Sequence, residues 1–155
     1  MTLFGWDARV PLIISAPGIG KGGAKTNAIS ELIDIFPTLC ELSGLPSPPQ
    51  LDGTSLVPVL KDAGATVKTA ALTQHPRPAL YWGGGPQALP QVMGYALKTD
   101  RWSYHEWRDF KTGHIVGQEL YDEQTDPLET VNQAGTVDAA AVIPALAEQL
   151  DALVK

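Results

Sequence analysis

Gln74-His75-Pro76-Arg77-Pro78 concentrates more chemistry than any other short stretch of the chain. His75 and Arg77 lie at a strand end, where they make either a cationic pair or a surface turn with ordinary charges. The flanking prolines stiffen the segment. Such a pair suits an anion, and the planar guanidinium fork takes a sulfate or a carboxylate bidentately. Lys98 offers a third cation, a point charge without the fork. His75, Arg77 and Lys98 are therefore the candidate substrate-binding residues. Trp102, Tyr104, His105 and Trp107 form an aromatic-rich run. Trp102 and Tyr104 share one side of it, and His105 and Trp107 share the other. An exposed tryptophan there could stack on a sugar ring, whereas burial under a helix uses it as core. His105 reads as a surface histidine or a pocket residue.

The remaining reactive types read as structural. Cys40 is the only cysteine and falls on the apolar side of a helical pattern, which makes it a buried thiol rather than a nucleophile. A single cysteine excludes an internal disulfide and any Cys/His zinc pattern. Arg9 precedes an apolar run and suits an ion pair. Asp34 fits a helix cap and Asp52 a turn, while Asp126 and Glu129 fit turn and cap positions better than metal ligation. No residue is assigned a catalytic or metal-binding role.

These residues need elements to hold them. Val10 to Ala16 is an unbroken apolar run and reads as a strand buried on both faces of a parallel sheet. Gly18 to Ala24 reads as a surface loop. Ile29, Leu32, Ile33, Phe36, Leu39 and Cys40 recur at helical spacing. Pro37 inside that pattern is accommodated if Asp34 caps the helix and Gly44 ends it. Leu56 to Lys61 fits one further helical turn, and Lys61 to Lys68 a boundary between lobes. Beyond it lie four short strand candidates, Ala70 to His75, Met93 to Thr99, Trp102 to Trp107 and Glu119 to Asp122. Thr99-Asp100-Arg101 and Lys111-Thr112-Gly113 are the hairpin turns. Trp82 to Pro90 reads as an irregular loop, a substrate-side lid or a crossover. A last helix spans about Asp138 to Leu153, with Pro144 opening its regular part.

The 155 residues carry a net charge of −6, which argues against a broad nucleic-acid footprint. No apolar run approaches the ~20 residues of a membrane span. No signal peptide pattern opens the chain.

Four segments together resemble the C-terminal third of the sulfatase family, in the alkaline-phosphatase-like superfamily. They are Ala8-Arg9-Val10-Pro11-Leu12-Ile13, Asp34-Ile35-Phe36-Pro37-Thr38-Leu39-Cys40-Glu41-Leu42-Ser43-Gly44, Leu51-Asp52-Gly53-Thr54-Ser55-Leu56-Val57-Pro58-Val59-Leu60, and Leu120-Tyr121-Asp122 with Asp126-Pro127, Glu129 and Asn132. Gln74 to Pro78 and Met93 to Arg101 are similar to the iduronate-2-sulfatase branch, where arginine usually stands at the position of Lys98. The resemblance implies hydrolysis of sulfate esters by a formylglycine, made from a cysteine in a Cys-x-Pro-Ser-Arg stretch, beside a calcium ion. Cys40, followed by Glu41-Leu42-Ser43, does not match that stretch, and no acidic cluster matches the calcium site. Met1-Thr2-Leu3-Phe4 resembles the family just after its active-site lysine, so the catalytic set is expected upstream.

The expectation is thus a fold passing from α/β to α+β. Residues 1–62 would be the tail of a large α/β domain, a buried strand plus helix. Residues 63–155 would be a small antiparallel sheet of about four strands packed on a C-terminal helix. The expected partner is a missing N-terminal catalytic part, and the expected substrate a sulfated sugar. The chain alone would be inactive, without nucleic-acid or membrane partners and without calcium of its own. The family resemblance leans to a periplasmic, secreted or lysosomal-type setting. Two other readings stand beside it. One is a phosphonate or phosphodiester hydrolase of the same superfamily. The other is a non-catalytic module that binds a partner by strand addition.

Overall fold

The computed structural model describes residues 2–78 and 90–154. Its contacts separate two units: Pro11–Ala71, and the residues up to Val10 together with those from Leu72 onward.

The second of these is built on a four-stranded sheet in the order β1-β2-β3-β4, with β1 Ala71–Arg77, β2 Val92–Lys98, β3 Trp102–Asp109 and β4 Ile115–Asp122. β2 and β3 pair antiparallel, as do β3 and β4. Both predicted hairpin turns are present, each closed by a short polar side chain. The Thr99 hydroxyl accepts the Trp102 N–H at 2.9 Å, and the Asp109 carboxylate accepts the Thr112 N–H at 2.8 Å. β4 is longer than the predicted Glu119 to Asp122. Its added residues Ile115 and Val116 are exposed, so the burial signal that marks a strand in sequence is missing there. At the β4 edge the Asn132 carboxamide accepts the Leu120 N–H at 3.0 Å, and the Gln133 N–H donates to the Leu120 carbonyl at 2.8 Å. An otherwise open ladder is thereby satisfied.

Each face of the sheet has its own cover. Leu97, Tyr104 and Leu120 share one face and are completely buried. Helix α4, Val137–Leu153, contributes buried Ala139, Leu146 and Leu150. Arg108 on this face bridges Glu106 and, at 2.6 Å, Asp151 of α4. Thr136 caps α4 by accepting the Ala139 N–H at 3.2 Å. Pro144 does not open the helix as expected but lies inside it, and its ring is exposed, away from the buried residues of α4. The opposite face is crossed by Thr2–Arg9, which holds one short helix, α1, Gly5–Ala8. Leu3 is buried there over Gly94, where any β-carbon would meet Leu3 and the Trp107 ring at 2.6 to 2.8 Å.

In the Pro11–Ala71 unit, a 3-10 turn at Leu32–Asp34 leads into α2, Ile35–Leu42, and α3 follows at Val57–Lys61. The end of α2 is as the sequence implies. Gly44 takes φ 68°, the Leu45 N–H reaches back to the Cys40 carbonyl at 2.9 Å, and the Gly44 N–H reaches Glu41 at 3.1 Å. The start differs. The Asp34 side chain does not cap α2; it accepts the Glu31 and Thr54 N–H groups at 2.7 and 2.8 Å and pairs with Lys68 at 2.7 Å. Asp34 is thus the completely buried centre of a polar clasp that ties the Leu51–Leu56 segment to the entry of α2.

Val10 to Ala16 differs from its predicted strand. It has no regular structure among the described residues, and Ile13 is 90% exposed. The apolar pattern calls for a neighbouring strand, and none of β1–β4 supplies it. Four apolar residues of the predicted α2 pattern, Leu32, Ile33, Phe36 and Leu39, are likewise exposed. The loop expected at Trp82 to Pro90 lies, Pro90 aside, outside the described residues.

Candidate functional site

His75 and Arg77 alternate along β1 and face the same side of the sheet. His75 is buried, and its Nε2 has no hydrogen-bond partner among the described residues. Burial first, and the neighbouring Arg77 charge second, push its pKa below the ordinary histidine value. The predicted cationic pair is therefore one cation beside a histidine biased toward its neutral form. Arg77 is half-buried, and its guanidinium carbon lies 5.8 Å from the centre of the Trp107 ring.

Trp107 is itself fixed. Its indole N–H donates to Glu119 at 3.0 Å, and its ring sits over Gly94 on the face opposite α4, not under the last helix as the sequence suggested. Glu119 collects two further donors, His105 Nδ1 at 3.2 Å and the Tyr121 hydroxyl at 2.9 Å. The hydrogen bond from His105, aided by those from Trp107 and Tyr121, outweighs burial and holds the Glu119 pKa at about 2. With Nδ1–H spent on Glu119, His105 Nε2 is left to meet the Ser103 hydroxyl at 3.0 Å. Ser103, His105 and Glu119 thus align in the order of a hydrolytic triad. Ser103 and His105 are both closed off from solvent, and the Phe4 ring packs tilted against His105 and edge-on to Tyr121, with centroids 5.6 and 5.8 Å away. The row is a polar core, not a nucleophile. This corrects the reading of His105 as a surface residue. The alternation Ser103-x-His105-x-Trp107 was visible in sequence; its cross-strand partner Glu119, supplied by the register, was not.

Lys98 is not brought to His75 and Arg77. It lies on the same face as Gly94 but four residues further along β2, where it pairs with Glu123 beside Glu129. Burial lowers its pKa. Arg9 also approaches Glu123, at 3.9 Å, in keeping with the ion pair expected for it. Glu129 caps no helix next to it in sequence; its carboxylate accepts at 2.8 Å the N–H of Gly5, the first residue of α1. Asp126 closes the adjoining turn by accepting the Thr130 and Val131 N–H groups at 2.7 and 2.8 Å. Cys40 is buried.

Among the described residues no group of three His, Cys, Asp or Glu side chains could hold a metal ion, so the calcium implied by the family has no fitting site in them. No helix among them is long and apolar enough to cross a membrane. A groove of about 510 Å³ lies elsewhere, along residues 13–26 with Val59, Leu60 and Ala63, and none of His75, Arg77 and Lys98 lines it.

Comparison with known proteins gives this sheet its context. The family model described as N-sulphoglucosamine sulphohydrolase, C-terminal, matches residues 2–155. Arylsulfatase K of Xenopus laevis is 30% identical over 137 residues, covering 88% of this chain and 24% of the relative. Arylsulfatase K of Rattus norvegicus is 32% identical over 134 residues, covering 86% and 23%. The chain therefore spans about a quarter of the length of these relatives. Among solved structures, BT4656 in complex with its substrate D-glucosamine-2-N,6-O-disulfate superposes with a TM-score of 0.67 at 26% identity, covering 87% of this chain and 26% of that one. A Bacteroides thetaiotaomicron structure from the metabolism of multiple glycosaminoglycans shares the fold, with a TM-score of 0.61 at 24% identity over 86% of this chain and 27% of that one. None of these is an iduronate-2-sulfatase. A match that runs from residue 2 to residue 155, over a sheet and helix shared with those structures, places the chain in the N-sulphoglucosamine sulphohydrolase C-terminal family of the sulfatases.

Proposed function

We propose that this chain works as the C-terminal part of a sulfatase that hydrolyses sulfate esters of sulfated sugars. Its sheet would form one wall of the substrate cleft. The observation that carries the reading is the family match along residues 2–155, joined to a sheet edge where Arg77 lies over Trp107 beside His75. A guanidinium placed over an indole by cation–π attraction still presents its N–H fork, which matches paired oxygens of a sulfate or a carboxylate. His75, biased to neutrality, adds no second charge beside Arg77.

On this reading the formylglycine, the calcium and the acid-base groups belong to the rest of the enzyme. A compact, highly charged transition state requires a metal and fixed cations around it, and this chain contributes the wall rather than that centre. The setting would be periplasmic, secreted or lysosomal in type. Two sugars are to be compared. Sulfated glucosamine follows the substrate in the BT4656 complex, and 2-sulfated iduronate follows the likeness of Gln74–Pro78 and Met93–Arg101 to that branch.

The test is sulfate release by the enzyme that contains this chain, from N- and 6-sulfated glucosamine and from 2-sulfated iduronate. Arg77→Ala should raise KM about tenfold, the loss of one charge-assisted hydrogen bond, with little change in the melting temperature. Hydrolysis of phosphonates or phosphodiesters in place of every sulfated sugar would overturn the reading.

A further inference from the structure

Glu129 is the least explained residue of the sheet unit. It is 6% exposed, and its backbone takes φ 55°, a left-handed conformation that L-residues other than Asn and Asp rarely adopt. The turn made by Asp126 forces it there: the Glu129 N–H donates to the Asp126 carbonyl at 3.0 Å, while the Asp126 carboxylate holds Thr130 and Val131. The result points the Glu129 carboxylate back beneath a segment 124 positions away in sequence. Oε2 accepts the Gly5 N–H at 2.8 Å. Oε1 is buried without a hydrogen-bond partner among the described residues. A β-carbon on Gly5 would stand 3.4 Å from Oε1, 3.6 Å from Lys98 Nζ and 3.7 Å from Glu123 Oε1, so Gly5 rests directly on three charged groups. A strained backbone and a half-satisfied buried carboxylate are costs a merely decorative turn would shed.

We propose that Glu129 is a positioning residue: with Lys98 and Glu123 it fastens Thr2–Arg9 to the sheet, and so fixes where the rest of the enzyme meets the wall that carries Arg77. The inference rests on the sulfatase reading for its kinetic half only. The family description is C-terminal and the chain amounts to about a quarter of the relatives; on the sulfatase reading, the catalytic part would meet the sheet through Thr2–Arg9. Leu3, buried over Gly94, and Phe4, packed against His105 and Tyr121, supply contact area. The Glu129 bond to Gly5 supplies direction, because a hydrogen bond has a preferred geometry and apolar contact does not.

Glu129→Gly is the discriminating variant, since glycine accepts φ 55° without strain and removes the side chain while leaving the turn's backbone as it is. In this chain, hydrogen exchange of the Gly5–Arg9 amides should accelerate by roughly tenfold, while the β2–β4 amides keep their protection. Glu129→Gln, which keeps an acceptor oxygen, should recover most of the protection. In the enzyme that contains this chain, Glu129→Gly should lower kcat with KM little changed, because the wall is intact and its placement is not. Unchanged exchange at Gly5–Arg9, or loss of protection across the whole sheet in step with them, overturns the clamp. Faster exchange with unaltered kcat overturns the positioning role. An enzyme without sulfatase activity overturns the functional reading and leaves the exchange result to decide the clamp.

Discussion

The sheet unit and the Pro11–Ala71 unit differ in what lies at their fully buried centres. In the sheet unit, Leu97, Tyr104, Leu120 and Leu150 are all fully buried, and both faces are covered from within the unit, one by α4 and one by Thr2–Arg9. In the Pro11–Ala71 unit, Ile13, Leu32, Ile33, Phe36, Leu39 and Leu45 are exposed, and the completely buried centre is a carboxylate, Asp34. One unit is organised by an apolar core with polar rows threaded through it. The other packs a small apolar set, Cys40, Leu56, Val57 and Val59, beside the polar clasp of Asp34, and leaves Leu32, Ile33, Phe36 and Leu39 outward. Apolar periodicity therefore reports which residues are to be covered, not which element of the same chain covers them.

The sharpest way to break that comparison is to remove core from the sheet. Leu120→Ala should destabilise the sheet unit by about 2–5 kcal/mol, measured by urea unfolding with tryptophan fluorescence, since Trp102 and Trp107 report there. A loss below about 1 kcal/mol would mean that the sheet lacks the tight core described. In the other unit the matching substitution is polar. Asp34→Ala leaves the Glu31 and Thr54 N–H groups without their acceptor and takes from Lys68 one of its two carboxylates, Glu31 being the other, and should cost about 3 kcal/mol, read from exchange of the α2 amides. Asp34→Asn, which keeps an acceptor for Thr54 but not the charge for Lys68, should fall between.

Acid separates the units by a different route. The Glu119 pKa falls from an ordinary 4.5 to about 2 on folding. A carboxylate depressed in the folded state stabilises it fully above the unfolded value, and that stabilisation fades as the pH drops from about 4.5 toward 2. The sheet should lose on the order of 2–3 kcal/mol across this window. Glu119→Gln should flatten that pH dependence. An unaltered slope in the variant would show that His105, Trp107 and Tyr121 do not act on Glu119 as their distances imply.

The fold was legible where pattern and local chemistry agree. The hairpin turns at Thr99–Arg101 and Lys111–Gly113, the Gly44 helix end and the last helix follow from residues adjacent in sequence. Legibility failed where a partner comes from afar. Glu119 meets His105 through register, Glu129 meets Gly5 from 124 positions away, and Asp34 meets Thr54 and Lys68 rather than its own helix. At the candidate site, the shared face of His75 and Arg77 could be read from alternation. Lys98 could not be excluded from it, because its binding by Glu123 depends on where the strand end is placed. Val10 to Ala16 shows the converse case: its pattern is that of a strand, and a strand requires a neighbour that the described residues do not contain.

The smallest effect is the most informative about the exposed side of α2. Phe36 lies on the helix yet is 54% exposed, beside Leu32, Ile33 and Leu39. If that side lies outside the core of this chain, Phe36→Ser removes apolar area that was already facing water. The change in stability should then stay within about 0.5 kcal/mol, while the tendency to self-associate falls. Amide exchange of α2 and sedimentation of the variant read the two quantities separately. A cost above about 1.5 kcal/mol would place Phe36 inside a core and erase the contrast between the units. In a longer sulfatase of the kind proposed, the same substitution should be costly if the added part covers this face. The difference between the two backgrounds then measures how much of the helical unit's stability is supplied from outside it.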